Sequence, residues 1–150
     1  GNFANRRNHF RGYWMCLSCT FFLTELTKST VERKRPNYND ASVRGKNTDK
    51  KSFFSSHSSL SFATATYISF YSYKNSQGLC SKYGIPILVE SAAGWIAWTR
   101  INDNWHHASD VLIGSMVGIT VAAVTYNFYN ADYSLALNIK PNFFSIAYKY

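Results

Sequence analysis

An all-α helical bundle closed by a short C-terminal β-hairpin is the fold class this sequence predicts. Three observations predict it. Four apolar segments of helical length alternate with polar connectors, and the last eighteen residues switch to a period of two. Apolar residues make up 46% of the chain, aromatics 17% and charged residues 16%, a balance that excludes a disordered chain. At 150 residues there is room for one domain and one core.

Residues 1–11 are polar and basic (Arg6, Arg7, Arg11), and are expected to be a solvated lead-in that includes His9. Residues 12–33 carry aromatic and aliphatic side chains and stop short of Pro36, so they predict the first helix. Residues 36–52 are a loop by composition. Residues 56–73 predict a second helix, rich in small residues suited to close packing, and 78–84 a connector. Residues 85–100 predict a third helix, interrupted by Glu90 and Gly94. Residues 105–129 predict a fourth, of which 111–129 carry no charge. A bilayer span takes about 20 apolar residues, so this segment is long enough to cross one. In residues 133–150 Leu135, Leu137 and Ile139 alternate with polar or small neighbours. Pro141-Asn142 breaks the run, and Phe144, Ile146, Tyr148 and Tyr150 resume it, which predicts a hairpin.

Sixteen Lys and Arg against eight Asp and Glu leave a net charge of +8, and eight of the sixteen lie between Lys28 and Lys51. Such a patch expects an anionic partner. No nucleic-acid motif accompanies it, so nucleic acid is not the expected partner. The three cysteines, Cys16, Cys19 and Cys80, form neither a disulfide framework nor a zinc-site spacing, so no metal is expected. Cys16 and Cys19 read C-x-x-C inside an apolar run, where buried inert thiols are the ordinary case.

Three clusters carry the chemistry, each at a junction of helix and loop. The first is Lys28, six residues, then Arg35-Pro36; the second is Phe54-Ser55-Ser56-His57; the third is Arg100, five residues, His106, three residues, Asp110. Physically they describe a phosphate site. Lys28 and Arg35 can converge on one oxyanion, and Arg100 adds a third cation. Ser55 and Ser56 sit at a helix start, where free N–H groups and the dipole favour an anion. His106 and Asp110, four apart, share a helix face, so the carboxylate is expected to accept Nδ1–H and leave Nε2 as a nucleophile. His57 is then available to protonate the leaving oxygen. Taken singly, each cluster has a plainer explanation: a solvated helix end, an N-cap, a surface pair. Their order and spacing together are what chance does not supply. His107 points about 100° away from His106 on a helix and is expected to contribute nothing. Trp95, Trp98 and Trp105 are expected to be packing or interfacial anchors.

The order K-x6-RP, then a PSGH-like element, then SR-x5-H-x3-D resembles the type-2 phosphatidic acid phosphatase superfamily. That superfamily also holds class A acid phosphatases and vanadium haloperoxidases. The resemblance runs from Lys28 to Asp110 and on into the HHASDVLIGSMVG stretch. It implies a helical core and metal-independent, cofactor-free hydrolysis of a phosphate ester through a phosphohistidine. It implies His106 as nucleophile, Asp110 as its orienting partner and His57 as general acid. Lys28, Arg35, Ser55, Ser56 through its N–H, and Arg100 would hold the phosphoryl oxygens.

The expected domain is single, over 1–150, with the hairpin 133–150 as an extension and the N-terminal helices of membrane members missing. The expected substrate is a phosphorylated membrane lipid, with the site on the extracytoplasmic (periplasmic) side. A soluble periplasmic acid phosphatase acting on a small phosphate ester is the second reading. A vanadium-dependent haloperoxidase is a third, disfavoured because it does not need Asp110. Three positions depart from the pattern: Phe54 stands for Pro, Ser56 for Gly and Thr99 for Ser. None removes a catalytic group.

Overall fold

The computed structural model describes residues 3–40 and 50–130 of the chain. Within them are four α-helices: α1 (Phe3–Thr30), α2 (Ser56–Asn75), α3 (Ile85–Asn102) and α4 (Ala108–Asn130). The all-α expectation therefore holds for the described residues. The hairpin expected over 133–150 lies outside them. Their β pairing is limited to one isolated parallel bridge between Arg33 and Lys51.

α1 begins well before the expected boundary, because residues 3–11 hold no Pro or Gly and their inner face has somewhere to pack. The Tyr67 hydroxyl donates to the His9 carbonyl at 2.9 Å, and the His9 ring meets Tyr71 edge-on at 4.7 Å. His9 is buried, not solvated, which corrects the lead-in reading. The connector before α3 also takes form, as a π-helical turn over Cys80–Gly84 that runs directly into Ile85. Pro86 sits in the first turn of α3, where no intrahelical N–H is needed.

α2 is the central helix, packed on α4, α3 and α1. Its contact with α4 is backbone on backbone. A Cβ built on Gly118 would lie 2.2 Å from the Ser59 carbonyl, and one on Gly114 2.7 Å from the Ser55 carbonyl. Only glycine lets the two helices approach this closely.

The apolar distribution is inverted relative to a water-soluble bundle. The buried cluster is small: Cys16, Ala63, Tyr67, Ala122 and Tyr126. Around it the interior is hydroxylic, with Thr20, Thr24, Ser58, Ser59 and Ser72 all buried. Thr20 and Thr24 donate to carbonyls one turn back at 2.8 and 2.7 Å, so their polarity is satisfied within α1. Outside stand Phe22, Leu88, Trp95, Leu112, Met116 and Phe128, each more than half exposed. All three cysteines are free.

Candidate active site

The site forms where α1 ends, α2 begins, α3 ends and α4 begins. Two connecting segments are clipped together there: the Ser52 N–H donates to the Arg33 carbonyl at 3.0 Å, beside the Arg33–Lys51 bridge. The turn from α3 to α4 is tied by the Arg100 carbonyl, which accepts from the N–H groups of Trp105 and His106, each at 3.1 Å. Asn104 holds that turn in the left-handed region at φ 56°, a conformation asparagine tolerates better than most residues. The Ser55 N–H donates to the Asp110 carbonyl at 3.1 Å and fixes the start of α2 against α4.

His106 is buried, with its two ring nitrogens in different surroundings. Nδ1 lies 2.8 Å from the Ser52 carbonyl, and Nε2 lies 3.5 Å from Nη1 of Arg35. A carbonyl can only accept, so Nδ1 carries the proton and Nε2 keeps its lone pair. Burial first, then the Arg35 charge, pulls the His106 pKa from 6.5 down to about 4. The Ser52 carbonyl and Asp110 oppose that pull without overcoming it. The imidazole is thus neutral, with its free nitrogen among cations.

The expected Asp110 contact is not made. Its Oδ2 is 4.0 Å from His106 Nδ1, and the Ser52 carbonyl has taken that proton instead. Asp110 is fully buried one step further out. Its Oδ2 accepts the Ser52 hydroxyl at 2.5 Å and the His107 N–H at 3.1 Å, and Oδ1 accepts from Arg33. Spacing i, i+4 brings the two residues together only when both lie on one helix. α4 starts at Ala108, so His106 precedes it while Asp110 caps its first turn. Asp110 fixes Ser52, and Ser52 fixes His106.

The cations are distributed around the free nitrogen. Lys28, in the last turn of α1 and buried, donates to Ser56 Oγ at 2.6 Å, with Glu25 at 3.6 Å. Arg35 donates to the Trp105 carbonyl at 3.0 Å, and its guanidinium lies 5.3 Å from the Trp105 ring centre. Arg100 is turned aside: its guanidinium donates to Thr99 Oγ1 at 3.2–3.3 Å and stands 4.0 Å from Asp103. At the start of α2, Ser55 Oγ caps the helix by accepting the Ser58 N–H at 3.4 Å, so its own proton remains to be given. His57 is exposed in that first turn, within the field of Arg100, Lys28 and Arg35.

All eight expected residues therefore gather at one end of the bundle. Four others that help to build the site were read differently or passed over. Arg33 stands two residues before Arg35, a spacing that puts both on one face of an extended chain, and that signal was available. Ser52 had none, since its role is carried by a backbone carbonyl. His107, expected to contribute nothing, holds the Lys34 carbonyl at 3.2 Å through Nε2 and secures the Arg33–Pro36 segment. Trp105 serves the site as well as the surface, unlike Trp95 and Trp98, whose exposed rings pack on each other at 5.0 Å.

The sequence model of the PAP2 superfamily matches residues 11–134. Lipid phosphate phosphatase 1 of Arabidopsis thaliana is 40% identical over 89 residues, covering 55% of this chain and 27% of that protein. Phospholipid phosphatase 2 of Homo sapiens is 30% identical over 131 residues, 69% of this chain and 44% of the human protein. A PA-phosphatase related-family protein of Dictyostelium discoideum is 28% identical over 152 aligned positions, 87% of this chain and 52% of its own length. The chain thus spans from about a quarter to about half of these relatives. No solved structure matches it.

Proposed function

This chain belongs to the PAP2 superfamily, and from that premise we propose that it hydrolyses the phosphate monoester or pyrophosphate of a membrane lipid through a phosphohistidine on His106. One observation carries the reading: a buried neutral imidazole with Nδ1–H tied to a fixed carbonyl and an unprotonated Nε2 that faces Arg35 at a long 3.5 Å. That is the arrangement a nitrogen nucleophile needs.

In the first step Nε2 attacks phosphorus in line, a P–N bond forms, and the bond to the leaving oxygen breaks. His57, at the exposed mouth, gives that oxygen its proton. Lys28, Arg35, the Ser55 hydroxyl and the unspent N–H groups of Ser56 and His57 take the charge on the equatorial oxygens, joined by Arg100 once it swings from Thr99. In the second step water attacks phosphorus on the opposite side and gives its proton to His57. The P–N bond breaks, phosphate departs and neutral His106 returns. Asp110 and Arg33 touch no reacting atom; they position Ser52, and through it His106. Neither step calls on a metal or cofactor.

A lipid is favoured over a soluble ester by the outward-facing apolar side chains and by α4, whose 108–129 stretch is long and apolar enough to cross a membrane. Only 33% of that span is buried within the bundle, whereas a soluble core helix of this composition would be mostly covered. The family resemblance supports an extracytoplasmic site, which impermeant thiol labelling of a cysteine introduced at Asn39 in intact cells would test. Labelling only after lysis would move the site inside.

The activity test is phosphate release from long-chain phosphatidate in detergent with excess EDTA, beside a soluble aryl phosphate. Preferential release from the lipid, lowered at least about 10³-fold in His106→Ala, is expected. Equal or faster turnover of the soluble ester would transfer the chain to the acid phosphatases. No release from either would remove the hydrolase reading.

A further inference from the structure

A groove between α2 and α3 opens beside the site and takes no part in the phosphate chemistry above. It is an open cavity of about 370 Å³. One wall carries Ser61, Thr64 and Ile68 of α2, the other Val89, Ala92 and Ile96 of α3. Both sets follow the i, i+3, i+7 spacing of one helix face, so the walls are straight and parallel to the helices.

The end of the groove nearest the active site lies one helical turn from it. Ser61 is one turn along α2 from His57, and Ile96 one turn back along α3 from Arg100. The antiparallel helices carry it about 10 Å away from the phosphate residues, at 1.5 Å per residue from Ser61 to Ile68. The wall hydroxyls are spent elsewhere. Ser61 Oγ donates to the Ser58 carbonyl at 3.1 Å, and Thr64 Oγ1 meets the Tyr13 hydroxyl at 3.4 Å. What faces the groove is carbon. Next to Val89, Glu90 holds a carboxylate oxygen between the hydroxyls of Thr66 (3.0 Å) and Ser69 (3.4 Å), so the apolar walls give way to a polar clasp at the far end.

We infer that this groove holds the proximal part of one acyl chain of the lipid phosphate whose headgroup sits at His106. The inference rests on the phosphatase reading for the location of that headgroup. Its own support is the groove's place one turn from His57 and from Arg100, the parallel walls and their apolar lining. A straight chain leaving the glycerol ester next to Arg100 enters between Ser61 and Ile96 without bending. The Glu90 clasp turns its remainder outward, so recognition covers only the chain's first part.

Two measurements test it. The first uses a phosphatidate bearing a diazirine near the carboxyl end of one chain, photolysed with the intact but inactive His106→Ala protein and mapped by mass spectrometry. Adducts on 60–68 and 89–96 are expected. Adducts confined to α1 or α4, or none, overturn the inference. The second compares Ala92→Phe, which fills the groove, with Gly94→Ala, whose new Cβ meets nothing within 4 Å. Ala92→Phe is expected to lower the ratio of kcat/KM for long-chain phosphatidate over the aryl phosphate by about tenfold, with Gly94→Ala leaving it unchanged. An unchanged ratio in Ala92→Phe also overturns the groove. Wild-type turnover separates the two readings. Adducts in the groove without any phosphate release leave a lipid site and remove the phosphatase; release without groove adducts does the reverse.

Discussion

His106 has its basicity and its orientation set by different neighbours. Burial and Arg35 keep it neutral, and the Ser52 carbonyl keeps Nε2 facing the cations. The nucleophile proposed for His106 must be unprotonated, and a pKa lowered to about 4 means protonation interferes only below that pH. The acid limb of kcat/KM is therefore expected near pH 4, not near the ordinary 6.5. In Arg35→Gln, whatever activity survives should lose its acid limb at a higher pH, because a charge that opposed protonation is gone. A limb at 6.5 that stays there with a phosphonate substrate of different second ionisation would contradict a neutral His106. One step out, Asp110→Asn keeps the shape but weakens the hold on Ser52 and Arg33. A misplacement of this kind costs roughly 10²-fold, and it should fall on kcat with KM little changed. Ser52→Ala, which keeps the carbonyl, should lose less than Asp110→Asn. Were the two equal in a steady-state comparison, the hydroxyl would be the whole of the link.

At the scale of elements, the α2–α4 contact decides whether the site exists. Ser55 caps α2 and Ser56 and His57 open it, while His106 stands just before α4 and Asp110 in its first turn; the two glycines bring these ends within reach. Gly118→Ala forces a Cβ to within 2.2 Å of a backbone carbonyl, which cannot rotate away. The helices must part, and overpacking of this kind costs about 1–3 kcal/mol. The expected result is a lower unfolding midpoint together with lost activity. Gly114→Ala, at 2.7 Å from Ser55, should damage activity more than stability, since it moves the α2 N-terminus directly. Gly94→Ala is the neutral comparison in a thermal melt. Helix identities were legible from apolar runs and from Pro36. Boundaries were less so: residues 3–11 look polar in isolation, and only the α2 face that accepts His9 makes them helical.

Across the described residues, large apolar side chains line the outside, and hydroxyls surround a small apolar core inside. In water this would be an aggregating surface; in the proposed membrane setting it would be the face that meets the acyl chains, with close packing of small residues holding the helices together. Ile119→Arg, near the middle of α4 and 40% exposed, is expected to raise the cost of membrane insertion by about 2.5–3.5 kcal/mol. A glycosylation-based insertion assay reads that change, and unchanged insertion would argue that α4 does not span. The sequence by itself determined the helical class, the four segments, the basic character of one end and the eight residues that meet there. Those follow from local pattern and from spacing, which the chain carries without folding. Tertiary structure alone decided that Asp110 reaches His106 through Ser52, that Arg33 pairs with Asp110, that His107 and Trp105 serve the site, and that α2 and α3 leave a groove. Each depends on where one segment ends against another, and a difference of three residues in the start of α4, 108 in place of 105, is enough to pass the His106 proton from a carboxylate to a carbonyl.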